Sequence, residues 1–179
     1  LCGVLPFFHS FGYTATLWFP LLSGMPVGYV PNPVDTAAIA TTVRERRSTM
    51  LFATPTFLTM YTRRADPEDF ASLRLVISGA EKLKERIAER FEGKFGVRPM
   101  EGYGATELSP IATLNLPSRT AGGVQQDAGK NGTVGKPVPG VAFKVVDADT
   151  GNVCEDGEPG LALVKGPNVM MGYLGSPEK

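Results

Sequence analysis

Leu73-Arg-Leu-Val-Ile-Ser-Gly-Ala-Glu-Lys-Leu-Lys-Glu-Arg-Ile-Ala-Glu-Arg-Phe-Glu-Gly-Lys-Phe-Gly96 decides the fold class. Leu73–Ile77 is an apolar run of strand length that ends at Ser78-Gly79-Ala80. Beyond it, Leu83, Ile87, Phe91 and Phe95 recur every four residues and form one apolar stripe along a helix. Lys84, Arg86, Glu89 and Arg90 fall off that stripe, and Gly96 is placed to end the helix. A strand that runs through a glycine-containing turn into an amphipathic helix is the repeating unit of a parallel sheet.

The same alternation appears on both sides. Cys2–Pro6, Val27–Val30, Met50–Ala53 and Arg98–Tyr103 read as further strands. Helices are expected over Phe11–Leu22, from an Asp35 N-cap to about Arg47, and from Thr54-Pro55 through Arg63, where cap and first-turn proline coincide. Residues 1–116 are therefore expected to form an α/β unit, a mostly parallel sheet covered by helices on both faces. From 117 to 132 the composition turns small and polar, which predicts a mobile loop or junction. Residues 133–179 read as the start of a small antiparallel β unit, with strands at Val141–Val146 and Leu161–Val164 and a turn at Asp149-Thr-Gly151.

The 179 residues are 42% hydrophobic and 20% charged, enough to bury a core. Eighteen Lys+Arg balance eighteen Asp+Glu, so the chain as a whole offers no attraction for nucleic acid. Cys2 and Cys154 are too few for a disulfide scaffold, and no Cys/His spacing matches a zinc site; they are read as free thiols in a reducing, cytoplasmic setting. No charge occurs from Leu1 to Val34, but Pro6, Gly12, Pro20, Gly24, Pro26, Pro31 and Pro33 cut that run into pieces shorter than a membrane span needs. The chain is expected to be soluble, without a signal peptide, and to be a piece of a longer protein, since it opens on Leu1 inside an apolar run.

Open parallel sheets bind ligands at the carboxyl ends of their strands. Three segments fall there: Pro6-Phe-Phe-His-Ser-Phe-Gly12, Ser78-Gly-Ala-Glu-Lys82 and Gly102-Tyr-Gly-Ala-Thr-Glu107. Gly79, Gly102 and Gly104 allow close backbone approach to a flat base, and Tyr103 offers an aromatic face. Thr106 supplies a hydroxyl donor for a phosphate oxygen, and Glu107 an oxygen ligand for magnesium. Each feature alone is more often an ordinary turn.

Together these segments are specific. Gly102-Tyr-Gly-Ala-Thr-Glu107 resembles the Tyr-Gly-x-Thr-Glu signature of the adenylate-forming enzymes, the superfamily of acyl-CoA synthetases, luciferases and peptide-synthetase adenylation domains. Pro6–Gly12 resembles that family's aromatic-histidine segment, and Gly132-Thr-Val-Gly-Lys-Pro-Val-Pro-Gly140 and Val164-Lys-Gly-Pro-Asn-Val-Met-Met-Gly-Tyr173 follow in the family's order. Leu51–Leu58, Phe70–Arg74, Gly79–Leu83, Lys94–Gly96 and Glu101–Tyr103 are more narrowly similar to the bacterial acyl–acyl-carrier-protein synthetase branch, often fused to a 2-acylglycerophosphoethanolamine acyltransferase.

The resemblance implies a fragment of the large N-terminal domain of an ATP- and magnesium-dependent ligase. A fatty acid would become acyl-AMP and then pass to a phosphopantetheine thiol, on acyl carrier protein or coenzyme A. It implies that Gly79, Ala80 and Glu81 line an adenine pocket and that Tyr103, between Gly102 and Gly104, stacks on the base. Thr106 would bond the α-phosphate, Glu107 would hold magnesium, and His9 would stand near the reacting carboxylate. Phe8, Phe11, Trp18 and Phe19 would wall an acyl tunnel, a bias that core packing explains equally well. The family's phosphate loop and ribose aspartate fall outside this segment, so the segment alone is expected not to turn over. The parent protein is placed in the cytoplasm or at the inner face of the bacterial membrane. A non-catalytic acyl- or nucleotide-binding module is the reading of another class. Arginines closing two helices, Arg44, Arg46 and Arg47 and then Arg63 and Arg64, read as helix-end cations or as a docking face for an acidic carrier protein.

Overall fold

The computed structural model describes residues 1–176. Its large sheet runs β2 (Gly28–Tyr29), β1 (Cys2–Gly3), β3 (Met50–Ala53), β4 (Leu75–Ser78), β5 (Pro99–Gly104), β6 (Ile111–Leu114) and β9 (Lys136–Pro137). The first five strands are parallel, and β6 and β9 add antiparallel. The mixed α/β class with a mostly parallel sheet is therefore the observed one.

Local chemistry starts and stops the helices where the sequence indicated. Asp35 accepts a hydrogen bond from the Ala38 N–H at 3.0 Å and caps α3 (Thr36–Arg46). Thr54 accepts from the Phe57 N–H at 3.3 Å and caps α4 (Pro55–Arg64), with Pro55 pre-set in its first turn. Gly96, at φ 73°, ends α5 (Glu85–Phe95) in the left-handed conformation. The helix begins two residues after Leu83, because the Leu83 N–H instead donates to the Glu101 carboxylate at 3.1 Å. Residues 10–22 are helical as expected, as α1 (Ser10–Gly12) and α2 (Phe19–Leu22), but Tyr13–Trp18 between them is wound as a π-helix.

The core lies between β3, β4 and helices α3, α4 and α5. Tyr61, Phe70, Phe91, Ile39, Leu51 and Leu58 are all fully buried. Phe70, Phe91 and Phe95 pack ring against ring, with Phe91–Phe95 centroids at 4.7 Å and Phe70–Phe95 at 4.8 Å. Asp69, nearly buried, accepts from the Asp66 N–H at 3.0 Å and pairs with Arg44. Arg44 is thereby tied into the fold, whereas Arg46 and Arg47 are exposed.

Three departures have physical reasons. β1 stops at Gly3, short of Pro6, which has no N–H to offer a ladder. Residues 117–132, read as a loop, contain a hairpin of β7 (Arg119–Ala121) and β8 (Val124–Gln126). Its turn is Gly122-Gly123 at φ 57° and 79°, the positive-φ pair that a two-residue hairpin requires. The stretch beyond is fastened to β6: Asn115 accepts from the Lys130 N–H at 2.8 Å, and the Thr113 hydroxyl donates to the Val134 carbonyl at 2.8 Å. β9 then extends the large sheet past residue 132.

The small antiparallel unit pairs β10 (Ala142–Val146) with β11 (Leu161–Lys165). Its turn is set by the Asp147 carboxylate, which accepts from the Thr150 N–H at 2.7 Å and the Thr150 hydroxyl at 2.8 Å. Those bonds hold the Asp147 carboxyl below its ordinary pKa. Positions 177–179 of the expected β unit lie outside the described residues. Among the described residues no helix is long and apolar enough to cross a membrane.

Candidate active site

The carboxyl ends of β4 and β5 open onto a cavity of about 210 Å³. His9–Phe11 forms one wall, Ile77–Ala80 another, and Gly102–Thr106 with Pro110 and Ile111 the third. The three segments singled out in the sequence thus converge on one place, as the crossing of parallel strands demands.

His9 stands at the amino end of α1, where its Nδ1 accepts the Phe11 N–H at 3.1 Å. In the neutral ring the proton then resides on Nε2, which is free to donate from an exposed position. Ser10 Oγ lies 3.4 Å from Thr106 Oγ1, bringing two loops together at the rim. Phe11 lines the cavity and packs edge-on against Phe52, with centroids at 6.1 Å. Two non-glycine residues with positive φ, Ala80 (68°) and Ser109 (50°), flank this cavity. Backbone held in that region is strained and concentrates at functional loops.

Gly104 allows the third wall to exist. A Cβ there would stand 1.7 Å from the Pro110 carbonyl oxygen, so only glycine lets the end of β5 lie against the 110–111 backbone. The β5–β6 register also shifts between Tyr103 and Gly104. Tyr103 sits half exposed on the rim, its ring edge-on to Phe143 of the small β unit at 6.4 Å.

The other expected residues are spread more widely. The Glu81 carboxylate turns out of the cavity and accepts the Thr56 hydroxyl at 2.8 Å. Glu107 belongs to the single 3-10 turn Thr106–Leu108, beside the cavity, and its carboxylate takes a hydrogen bond from the Tyr173 phenol. That bond pulls the Glu107 carboxyl below its ordinary pKa and raises the phenol. Of the four aromatics expected to wall an acyl tunnel, only Phe11 lines the cavity. Phe8 is 93% exposed, Trp18 packs on Tyr13 at 6.1 Å, and Phe19 packs on Phe52 at 6.1 Å. The helix over 10–22 turns Trp18 and Phe19 along its surface instead of into the cleft, and Phe8 precedes that helix.

Pro110 and Ile111, which also line the cavity, lie outside the segments quoted from the sequence; Ser10, Ser78 and Ala105 lie inside them without an expected role, as do Tyr173 and Asn168, which brace the site. Asn168 donates to the carbonyls of Leu108 at 2.9 Å and Ile111 at 2.8 Å, and the Met170 N–H donates to the Glu107 carbonyl at 2.9 Å. The only advance signal was their place in the Val164–Tyr173 motif.

A family model described as AMP-binding enzyme matches residues 1–174. The chain belongs to that family. A probable 4-coumarate–CoA ligase 3 of Dictyostelium discoideum is 32% identical over 96% of this chain. A long-chain-fatty-acid–CoA ligase of Bacillus subtilis is 29% identical over 99%. The chain spans 30% of the length of each of these relatives. Among solved structures, ATP-bound MatB from Rhodopseudomonas palustris superposes with a TM-score of 0.82 at 30% identity, over 99% of this chain and 33% of that one. The structural likeness of this AMP-binding segment thus covers both its α/β part and its small β unit.

A magnesium site is testable against the donors present. No group of three or more metal-ligating side chains occurs among the described residues. One carboxylate, Glu107, next to the Thr106 hydroxyl suits a hard cation that brings phosphate and water ligands with it.

Proposed function

We propose that this chain is the acid-activating part of an ATP-dependent ligase that makes an acyl-adenylate and passes the acyl group to a thiol. In the first step a carboxylate oxygen attacks the α-phosphorus of ATP and pyrophosphate leaves. In the second the thiol attacks the acyl carbonyl and AMP leaves. A carboxylate has no usable leaving group until AMP supplies one. Positioning and charge neutralisation carry most of such a phosphoryl transfer.

The convergence of the His9, Gly79–Ala80 and Gly102–Thr106 segments on one cleft carries this reading. Gly79 and Ala80 would face the adenine and Tyr103 its ring, while Thr106 donates to the α-phosphate. The His9 Nε2–H would hold the reacting carboxylate in line with the α-phosphorus. Glu107 would meet the magnesium that arrives with ATP, whose chemistry there is to neutralise the departing pyrophosphate. Phe11, Ile77 and Ile111 make the acid's end of the cleft apolar, which suits a fatty or aromatic acid. For the acceptor, the names of the two relatives favour coenzyme A over the carrier protein of the synthetase–acyltransferase branch.

Acid-dependent ATP–pyrophosphate exchange by the full-length polypeptide tests the reading. A panel of fatty and aryl acids should support exchange, and Thr106→Val should reduce it about 10²–10³-fold, the usual loss for one transition-state donor. No exchange with any acid, or an undiminished Thr106→Val enzyme, would overturn it. Adding coenzyme A or phosphopantetheinylated carrier protein and following thioester formation then identifies the acceptor.

A further inference from the structure

We infer that Tyr173 is a positioning residue for Glu107, orienting its carboxylate for the metal–nucleotide complex. The inference rests on the function proposed above and adds a residue from the small β unit to that site. Thr106–Leu108 is one isolated 3-10 turn of three residues, too short to order its own side chains. A free glutamate side chain loses rotamer freedom when it is fixed. Here that ordering is present before any ligand arrives: the Tyr173 phenol donates to Oε1 of Glu107, which leaves Oε2 for a second partner.

Tyr173 is itself held in register. Asn168 bonds the carbonyls on both sides of the 108–111 turn, and the Met170 N–H bonds the Glu107 carbonyl, so the 168–173 segment wraps the turn from outside. Carboxylates that ligate metals are commonly held by an outer hydrogen-bond partner, and loss of that partner weakens metal affinity about 10–100-fold. Tyr173 has the geometry of such a partner, from an exposed position that contributes little to the core.

The test is the dissociation constant of Mn²⁺ in the presence of saturating ATP, measured by electron paramagnetic resonance on the full-length polypeptide. Wild type, Tyr173→Phe, Glu107→Gln and the double variant are compared, with thermal midpoints alongside. Tyr173→Phe should weaken Mn²⁺ binding at least 10-fold with an unchanged midpoint, and in the double variant it should add nothing to the Glu107→Gln loss. Unchanged Mn²⁺ binding in Tyr173→Phe, a lowered midpoint with unchanged Mn²⁺ binding, or additive losses would overturn the inference while leaving the proposed function standing. Failure of the wild type to bind the Mn²⁺–ATP complex would instead overturn the proposed function, and the inference with it.

Discussion

Replacing Gly104 by alanine would place a Cβ 1.7 Å from the Pro110 carbonyl oxygen, 2.7 Å from its carbon and 2.9 Å from the Ile111 Cα. All three are backbone atoms, so no rotamer change relieves the clash. The end of β5 and the 110–111 backbone must part by more than about 1 Å, an overpacking that costs roughly 1–3 kcal/mol of stability. The shift falls on Thr106 and Ile111, which both line the cleft on that wall. A misplacement near 1 Å costs about 10²-fold in rate, equivalent to about 2.7 kcal/mol of activation free energy. Gly93→Ala is the internal control, since nothing lies within 4 Å of its Cβ on α5; it should gain about 0.5–1 kcal/mol. Chemical denaturation and acid-dependent pyrophosphate exchange, both on the full-length polypeptide, read the two effects. If Gly104→Ala matched the wild type in both, the close approach would not be what shapes the site.

Three further outcomes follow from the same geometry. Phe91→Ala removes a fully buried ring from the Phe70–Phe95 cluster and should cost about 3–5 kcal/mol in denaturant unfolding. Asp69→Ala releases Arg44 and leaves the Asp66 N–H without its acceptor, so unfolding should become easier by about 1.5–3 kcal/mol; a neutral result would show the pair to be idle. Burial lifts the Cys2 thiol from its ordinary 9.0 to about 11. The folded state then holds a proton that the unfolded state gives up, so stability present below pH 9 should fall between pH 9 and 11, by on the order of 2–3 kcal/mol. Cys2→Ala should flatten that alkaline limb, and an unchanged limb would assign it elsewhere.

How far the sequence revealed the molecule differed by kind of feature. Helix ends were legible because their chemistry is local: Asp35, Thr54-Pro55 and Gly96 each act on backbone groups within a few residues. The parallel core was legible from strand–helix alternation. The antiparallel additions were not, because β6 is only four residues and β9 only two, one of them proline, and their place is fixed by bonds across the chain, Thr113 to Val134 and Lys130 to Asn115. The β7–β8 hairpin was announced by Gly122-Gly123, yet the small polar residues around it masked the signal. In the site, the backbone-borne residues Gly79, Ala80 and Gly102–Gly104 come together in one cleft. Side-chain directions did not follow from motif membership: Glu81 is drawn off by Thr56, and Phe8 faces solvent. Tyr173 reaches Glu107 only through the folded small β unit, so no local pattern could expose the contact.

On the proposed function, the cleft at the ends of β4 and β5 holds an adenylate. Calorimetric titration of the full-length polypeptide with a non-hydrolysable acyl-adenylate mimic, beside its Tyr103→Ala variant, tests it most directly. Tyr103 is half exposed, so its loss should leave the fold intact. Stacking on a base is worth about 1–3 kcal/mol, so the account predicts saturable binding that weakens roughly 5- to 150-fold in the variant. Equal affinity in the two proteins, or no binding by either, would contradict it.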